Sequence, residues 1–181
     1  KYYGLSENAF VLGCIGGTRY DKGLDILLKA LQGVTGDFEL LVAGAEDAIK
    51  REKIEELARP YGDRVKLHLS FLTDEEFEMA IQAVDAIVLP YRKTFNGASG
   101  PLGEGVAKGK MIIAANHGSL GDIVEKNHLG YTFESENIEA LKKVLNMAIQ
   151  RTNYTYDEKA NVYKNKLSIN EFKKQYCKLY F

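Results

Sequence analysis

The chain has 181 residues, 45% of them hydrophobic, and carries 24 lysines and arginines against 25 aspartates and glutamates. That length suffices for one well-buried domain and is short for two, and a formal charge of −1 speaks against a nucleic-acid binder, which presents a basic face. No apolar run approaches the roughly 20 residues that span a bilayer, and the first one, Phe10 to Ile15, is too short for a secretion signal.

Cys14 and Cys177 show no metal or redox spacing, a usage that fits a reducing cytoplasm. The start at Lys1 rather than Met leads us to expect a longer parent protein. In chain order, Asn8 to Ile15 reads as a first strand, followed by Gly16-Gly17 and a sharp turn. Leu24, Leu27, Leu28 and Leu31 recur at helical spacing, so the next helix buries that face. With Asp21 as its N-cap, Lys22 falls in its first turn, where a cation opposes the helix dipole unless an anion lies between. Phe38 to Val42 is the second strand, and a charged helix runs from about Glu46 to Ala58, before Pro60. Val65 to Phe71 alternates as a third strand, and Thr73-Asp-Glu-Glu76 is a capping box for a helix to about Val84.

The stretch Asp85 to Asn116 organises the rest. Ala86–Leu89 and Met111–Ala115 are short, uninterrupted apolar runs, as strands of a parallel sheet covered on both faces tend to be. Between them, Pro101 suits the first position of a short helix and Gly109 the residue past its end. That helix starts beyond the carboxyl end of a strand, where open α/β sheets place ligands and where free N–H groups favour an anion. Gly118-Ser-Leu-Gly121 reads as a small-residue turn, Gly130 to Phe133 as a short sixth strand, and Ile138 to Ile149 as an amphipathic helix. The alternation of strands and helices implies right-handed crossovers and an α/β, doubly wound parallel sheet over residues 1–150. Residues 151–181, rich in Tyr, Lys and Asn, form closing helices, Asp157 to Lys166 and Ile169 to Leu179. Phe172, Tyr176 and Leu179 share a face of the second, which either completes the domain or packs toward another.

Three groups of residues could carry chemistry. Glu104 is either an exposed partner of Lys108 four residues on, or a carboxylate that accepts hydrogen bonds from a ribose diol. Lys22 is either an ordinary solvated lysine or an anion ligand, with Arg19 close enough to add a bidentate contact to phosphate. Gly16-Gly17 belongs to a run that is not the dinucleotide fingerprint, and Gly109-Lys110 is not a P-loop. His68, His117 and His128 show no ligand spacing, and no D-x-D pair indicates a metal-held diphosphate.

Together, Gly16-Gly-Thr-Arg-Tyr-Asp-Lys-Gly-Leu24, Leu41-Val-Ala-Gly44, Val84-Asp-Ala-Ile-Val-Leu-Pro-Tyr91 and Ser99-Gly-Pro-Leu-Gly-Glu104 with Gly109-Lys-Met-Ile-Ile-Ala114 resemble group 1 (family 4) glycosyltransferases. The likeness is to their C-terminal, donor-binding domain in the two-domain GT-B architecture and covers roughly Phe10 to Ile149. It implies a nucleotide-diphosphate-sugar substrate, transfer without a metal or other cofactor, and a role in polysaccharide assembly. Glu104 matches the second glutamate of the family's E-x7-E motif, which meets the ribose, and Lys22 the lysine that binds the diphosphate. These two are the catalytic candidates. Ser99, Gly100, Pro101 and Leu102 correspond to the loop at the phosphate and sugar, and Phe71 and Leu72 fall where the family contacts the base. Two positions depart from the pattern: Asn96 replaces the first glutamate, and Gly17 stands where the diphosphate arginine is usual, with Arg19 as its substitute. The acceptor, a glycan or lipid-linked glycan, is then expected to bind through an absent N-terminal domain. Neither nucleic acid nor membrane contact is expected for this chain, and the protein should be cytoplasmic. The competing reading is an inactive glycosyltransferase-like binding module, for which Asn96 and Gly17 speak.

Overall fold

The structure is a computed structural model that describes residues 2–151 and 153–168, with residues 171, 173 and 177 beyond them. Six strands, β1 (Phe10–Ile15), β2 (Phe38–Ala43), β3 (Val65–His68), β4 (Ala86–Leu89), β5 (Met111–Ala115) and β6 (Gly130–Phe133), form one parallel sheet in the order β3-β2-β1-β4-β5-β6. Leu12 pairs in register with Leu40 on one side and Ala86 on the other, so the strand order reverses between β1 and β4. Among residues 2–151 and 153–168, seven α-helices flank the sheet: α1 (Leu24–Ala30), α2 (Arg51–Ala58), α3 (Asp74–Gln82), α4 (Gly100–Ala107), α5 (Gly118–Lys126), α6 (Ile138–Ile149) and α7 (Glu158–Lys166). This is the doubly wound arrangement whose ligands sit in the crevice at the reversal.

Alternation along each strand divides the core in two. Leu12, Leu40, Val42, Val88 and Ile113 face one way and pack with Leu27 and Leu28 of α1, Ile54 of α2 and Leu141 and Leu145 of α6. Val11, Leu41, Ile87, Ile112 and Ala114 face the other way against Ile81 of α3, Val106 of α4 and Val124 of α5, with Ala160 of α7 beneath. Full burial of such side chains stabilises by roughly 1.5–3 kcal/mol each. It is why the apolar runs become central strands.

The first strand starts at Phe10 rather than Asn8, and three further boundaries differ from the sequence expectation for local reasons. The third strand ends at His68 rather than Phe71, because its neighbour β2 ends at Ala43, the residue paired with His68. The helix expected from Glu46 begins at Arg51, because Thr18 holds the preceding loop. The Thr18 N–H donates to the Ala45 carbonyl at 3.0 Å, and its Oγ accepts from Asp47 N and donates to the Ile49 carbonyl, both at 2.8 Å. Asp21 is not an N-cap. Its carboxylate pairs with Arg19, and α1 starts after Gly23, which has φ +66°. A Cβ there would lie 2.0 Å from the Pro90 carbonyl oxygen, so only glycine fits. Lys22 therefore sits in a 3-10 turn over Tyr20–Lys22, ahead of the helix rather than in its first turn.

The expected turn at Gly118-Ser-Leu-Gly121 is the start of α5. Its two glycines disguise a helix whose Leu120, Ile123 and Val124 pack on the sheet at helical spacing. The capping box at Thr73 is formed as expected: Thr73 Oγ accepts from Glu76 N at 3.2 Å and Glu76 Oε2 from Thr73 N at 2.9 Å. The face expected on a second tail helix, Phe172, Tyr176 and Leu179, lies outside the described residues. No helix of the described chain is long and apolar enough to cross a membrane.

Candidate functional site

Four loops meet at the carboxyl end of the sheet. The first leaves β1 through Gly16 and Gly17 and is bound to the loop after β2. The Gly16 N–H donates to Ala43 O at 2.8 Å. A Cβ on Gly44, at φ +147°, would stand 2.2 Å from the Gly16 carbonyl oxygen, so the two backbones touch. This contact leaves the side of Gly16 facing the reversal point open to one side chain. A Cβ built on Gly16 would lie 2.7 Å from Lys22 Nζ and 4.0 Å from Pro101 Cγ. The lysine of the first loop and the start of α4 thus flank the same glycine.

Lys22 is half-buried and makes no ion pair or side-chain hydrogen bond among the described residues. Burial holds its amine below the ordinary value of 10.5, and the Arg19 guanidinium pushes it the same way, while Cys14, Asp21 and Asp47 oppose them. The neighbouring Cys14 thiol is pushed by burial up to about 12. Asp21 and Asp47 act on the amine from a distance, and no carboxylate among the described residues is paired with it.

Across from it, Ser99 caps α4, its Oγ accepting from Leu102 N at 3.3 Å while Gly103 N donates to Ser99 O at 3.2 Å. Pro101 has no N–H to give. The N–H groups of Ser99 and Gly100 are the ones left without an intramolecular partner among the described residues. The N–H supply expected from Ser99 to Leu102 is therefore narrower, concentrated at two residues. Tyr91, buried behind them, places its Oη 3.1 Å from Ser99 Oγ and packs its ring 4.3 Å from that of Phe95. Burial raises the Tyr91 hydroxyl far above the ordinary tyrosine range, so it stays protonated.

Glu104 is exposed on α4 and makes no ion pair or side-chain hydrogen bond among the described residues. The alternative pair with Lys108 is not formed, because Lys108 bridges to Glu78 of α3. Arg19 is close to the crevice but occupied, its guanidinium bound by Asp21 and 6.0 Å from the Phe95 ring. Gly17 lies beside the Ala45 carbonyl oxygen, 3.5 Å from where its Cβ would be. Phe71 stands 82% exposed after β3, with Leu72 half-buried beside it.

Asn96 lies elsewhere. With Phe95, Gly97 and Ala98 it walls a cleft of about 530 Å³ whose far side is His117, Gly118 and Ser119 at the start of α5, one crevice over from Lys22. Sequence reasoning did not single out Tyr91 as a site residue, nor Arg92, which is 7% exposed and bonded to Asp25. A polar residue just past a buried strand was the available signal. No cluster of three or more His, Cys, Asp or Glu able to hold a metal ion occurs among the described residues.

Known proteins share this architecture. The starch synthase IV catalytic domain of Arabidopsis thaliana, solved with ADP and acarbose, superposes with a TM-score of 0.70 at 20% identity, covering 99% of this chain and 40% of that one. Anabaena Alr3699/HepE in complex with UDP gives a TM-score of 0.77 at 20% identity over 95% of this chain and 48% of that one. At these identities the likeness shows the fold. A glycogen synthase of Pseudomonas syringae pv. syringae (strain B728a) is 24% identical over 132 residues, which are 72% of this chain and 27% of the relative. The chain thus spans about a quarter of the length of that curated relative. The family described as glycosyl transferases group 1 matches residues 9–151, most of the chain and all six strands, and this protein belongs to it.

Proposed function

We propose that the carboxyl-end crevice binds a nucleotide-diphosphate-sugar donor and that the chain is the donor half of a GT-B glycosyltransferase. The observation that carries this reading is the unpaired Lys22 amine facing the start of α4 across Gly16, with the Ser99 and Gly100 N–H groups free. A diphosphate fits between them. The lysine neutralises one phosphate, and the helix start, with its positive dipole end, receives another oxygen. The solved neighbours whose names record ADP or UDP support this choice of ligand.

The roles follow from what each group can do. Glu104, exposed and uncommitted, accepts hydrogen bonds from the ribose hydroxyls, and Phe71 with Leu72 offers a face on which a base stacks. As the glycosidic bond breaks, negative charge grows on the departing diphosphate. Lys22 and the Ser99–Gly100 amides stand where that charge develops, so they stabilise the transition state more than the ground state. This stabilisation asks for no metal. The sugar points toward Asn96, Gly97 and Ala98, where the Asn96 amide donates to or accepts from a hydroxyl without adding charge. Arg19 joins the phosphate only by exchanging its contact with Asp21. The acceptor binds outside these residues, on another part of the whole protein.

Calorimetric titration with UDP, GDP and ADP and their sugar conjugates tests the reading, on this chain and on Glu104→Ala. One nucleotide binds selectively, and the substitution weakens it roughly tenfold, as expected for a hydrogen bond to a charged group. Binding of none of them to a folded chain sinks the proposal and favours an inactive module.

A further inference from the structure

The turn that carries Lys22 is short, exposed on its outer side, and preceded by two glycines. Within the turn, Arg19 pairs with Asp21 and Lys22 N–H donates to Arg19 O. From outside, the turn is held by Arg92, the second residue past the Pro90 exit of β4. The Arg92 backbone N–H donates to Asp21 O at 2.8 Å. Its Nη2 donates to both oxygens of the Asp25 carboxylate of α1 at 2.9 and 2.8 Å, its Nη1 donates to the Tyr20 carbonyl, and the guanidinium stacks 3.9 Å over the Tyr20 ring. Glu136, in the loop after β6, approaches from the other side at 3.8 Å. Arg92 itself is anchored, because Ser135 Oγ donates to the carbonyl of its neighbour Tyr91 at 3.0 Å, and Tyr91 leads to Ser99 at the start of α4.

From these contacts we infer that Arg92 is a positioning residue for diphosphate binding: it locks the Tyr20–Lys22 turn so that Lys22 faces Ser99 and Gly100. The inference rests on the donor-site reading above. One end of the Tyr91–Arg92 segment grips both residues that precede Lys22, Asp21 through the Arg92 backbone and Tyr20 through its side chain, and the other end reaches the α4 cap through Tyr91, so this segment ties the cation to the amides. A guanidinium suits this task, since one nitrogen holds the carboxylate and another the carbonyl while its face lies on an aromatic ring. The guanidinium is engaged by these internal partners. A lysine has one nitrogen and no planar face, and would not secure all of these contacts.

The test is a double-substitution cycle read by calorimetry, using whichever of UDP, GDP and ADP the wild-type chain binds. The four proteins are wild type, Lys22→Ala, Arg92→Gln and the double variant. If Arg92 acts through Lys22, Arg92→Gln weakens binding roughly tenfold when Lys22 is present and by less than about twofold when it is absent. A merely structural role gives the same loss in both backgrounds, and that result, or no loss in either, overturns the inference while leaving the donor site intact. If Lys22→Ala itself leaves nucleotide binding unchanged, the donor-site reading falls, and the inference with it. Should Arg92→Gln fail to fold, Asp25→Asn keeps the shape and weakens the Arg92 contact, along with an exposed pair to Lys29 that lies away from Lys22 in the chain. It carries the same cycle with a smaller loss, about threefold, again confined to the Lys22 background.

Discussion

The two ends of the sheet treat their charges in opposite ways. At the amino end, three cations around the β5 entrance are spent on the protein. Lys108 bridges to Glu78, Lys110 Nζ donates to the Gln82 carbonyl at 2.9 Å, and Arg151 reaches the Tyr131 hydroxyl at 3.2 Å. Asp85 there accepts the Val11 N–H at 2.7 Å. At the carboxyl end, Lys22 and Glu104 have no such partner among the described residues, and the Ser99 and Gly100 amides stand free. Both ends hold comparable side chains on the same scaffold. On the proposed reading, the end that leaves a half-buried cation unpaired bears a cost in the free state that a bound anion would relieve, and this contrast is testable by substitution.

The sharpest way to break this comparison is at a glycine. Gly44→Ala places a methyl against the Gly16 carbonyl oxygen at 2.2 Å and should lower stability by about 3 kcal/mol or more, measured by urea unfolding. Its counterpart at the amino end is Gly109, at φ +73°, where a Cβ would meet only Lys164 Nζ at 3.5 Å. Gly109→Ala should cost about 1–2 kcal/mol, the backbone cost alone. Equal losses at the two glycines would mean that the carboxyl-end loops are not interlocked.

Lys22→Ala comes next. It should weaken nucleoside diphosphate binding by roughly 10- to 150-fold, the worth of a hydrogen bond to a charged group. The free chain should lose no stability, since the variant removes a desolvated cation with no partner. The pH dependence has opposite signs in the two states. Because burial lowers the Lys22 value in the folded chain, the unfolded chain binds more protons between that value and 10.5. The Lys22 contribution therefore destabilises the free fold below this window and fades as pH rises through it. Ligand binding needs the charged amine, so affinity falls over the same rise. Lys22→Arg, charged throughout, should flatten the affinity profile. An unchanged slope in that variant would show that another group sets it.

Much of this was legible beforehand, and the reasons differ by residue. The runs Ala86–Leu89 and Met111–Ala115 were clear because a buried parallel strand has no polar face to hide. Pro101 and Gly109 were clear as the start and end of α4 because helix ends obey local rules, although Pro101 takes the second position, behind Gly100. The environment of Lys22 was not. Its turn depends on a carbonyl of Pro90 and on Arg92, about 70 residues away in sequence. The helix α5 was hidden because Gly118 and Gly121 carry the local signal of a turn, and packing on β5 overrides it. Pairing also removed one reading of Glu104: spacing offered Lys108, and Glu78 of another helix took it.

The smallest effects belong to the amino-end cations, and they separate two kinds of partner. Lys110 donates to a backbone carbonyl from a half-buried position, so Lys110→Ala leaves the Gln82 carbonyl short of a donor and should cost about 1 kcal/mol. The Lys108–Glu78 pair is different. The two side chains are 34% and 52% exposed, water solvates either partner once the other is gone, and Lys108→Ala should change stability by no more than about 0.5–1 kcal/mol. Raising the salt concentration should shrink even that difference, because screening acts on exposed charges first. Neither substitution should alter nucleotide affinity, since both cations lie at the opposite end of the sheet from Gly16. A nucleotide that bound more weakly to either variant would place an anion site at the amino end, and the contrast between spent and waiting charges would lose its meaning.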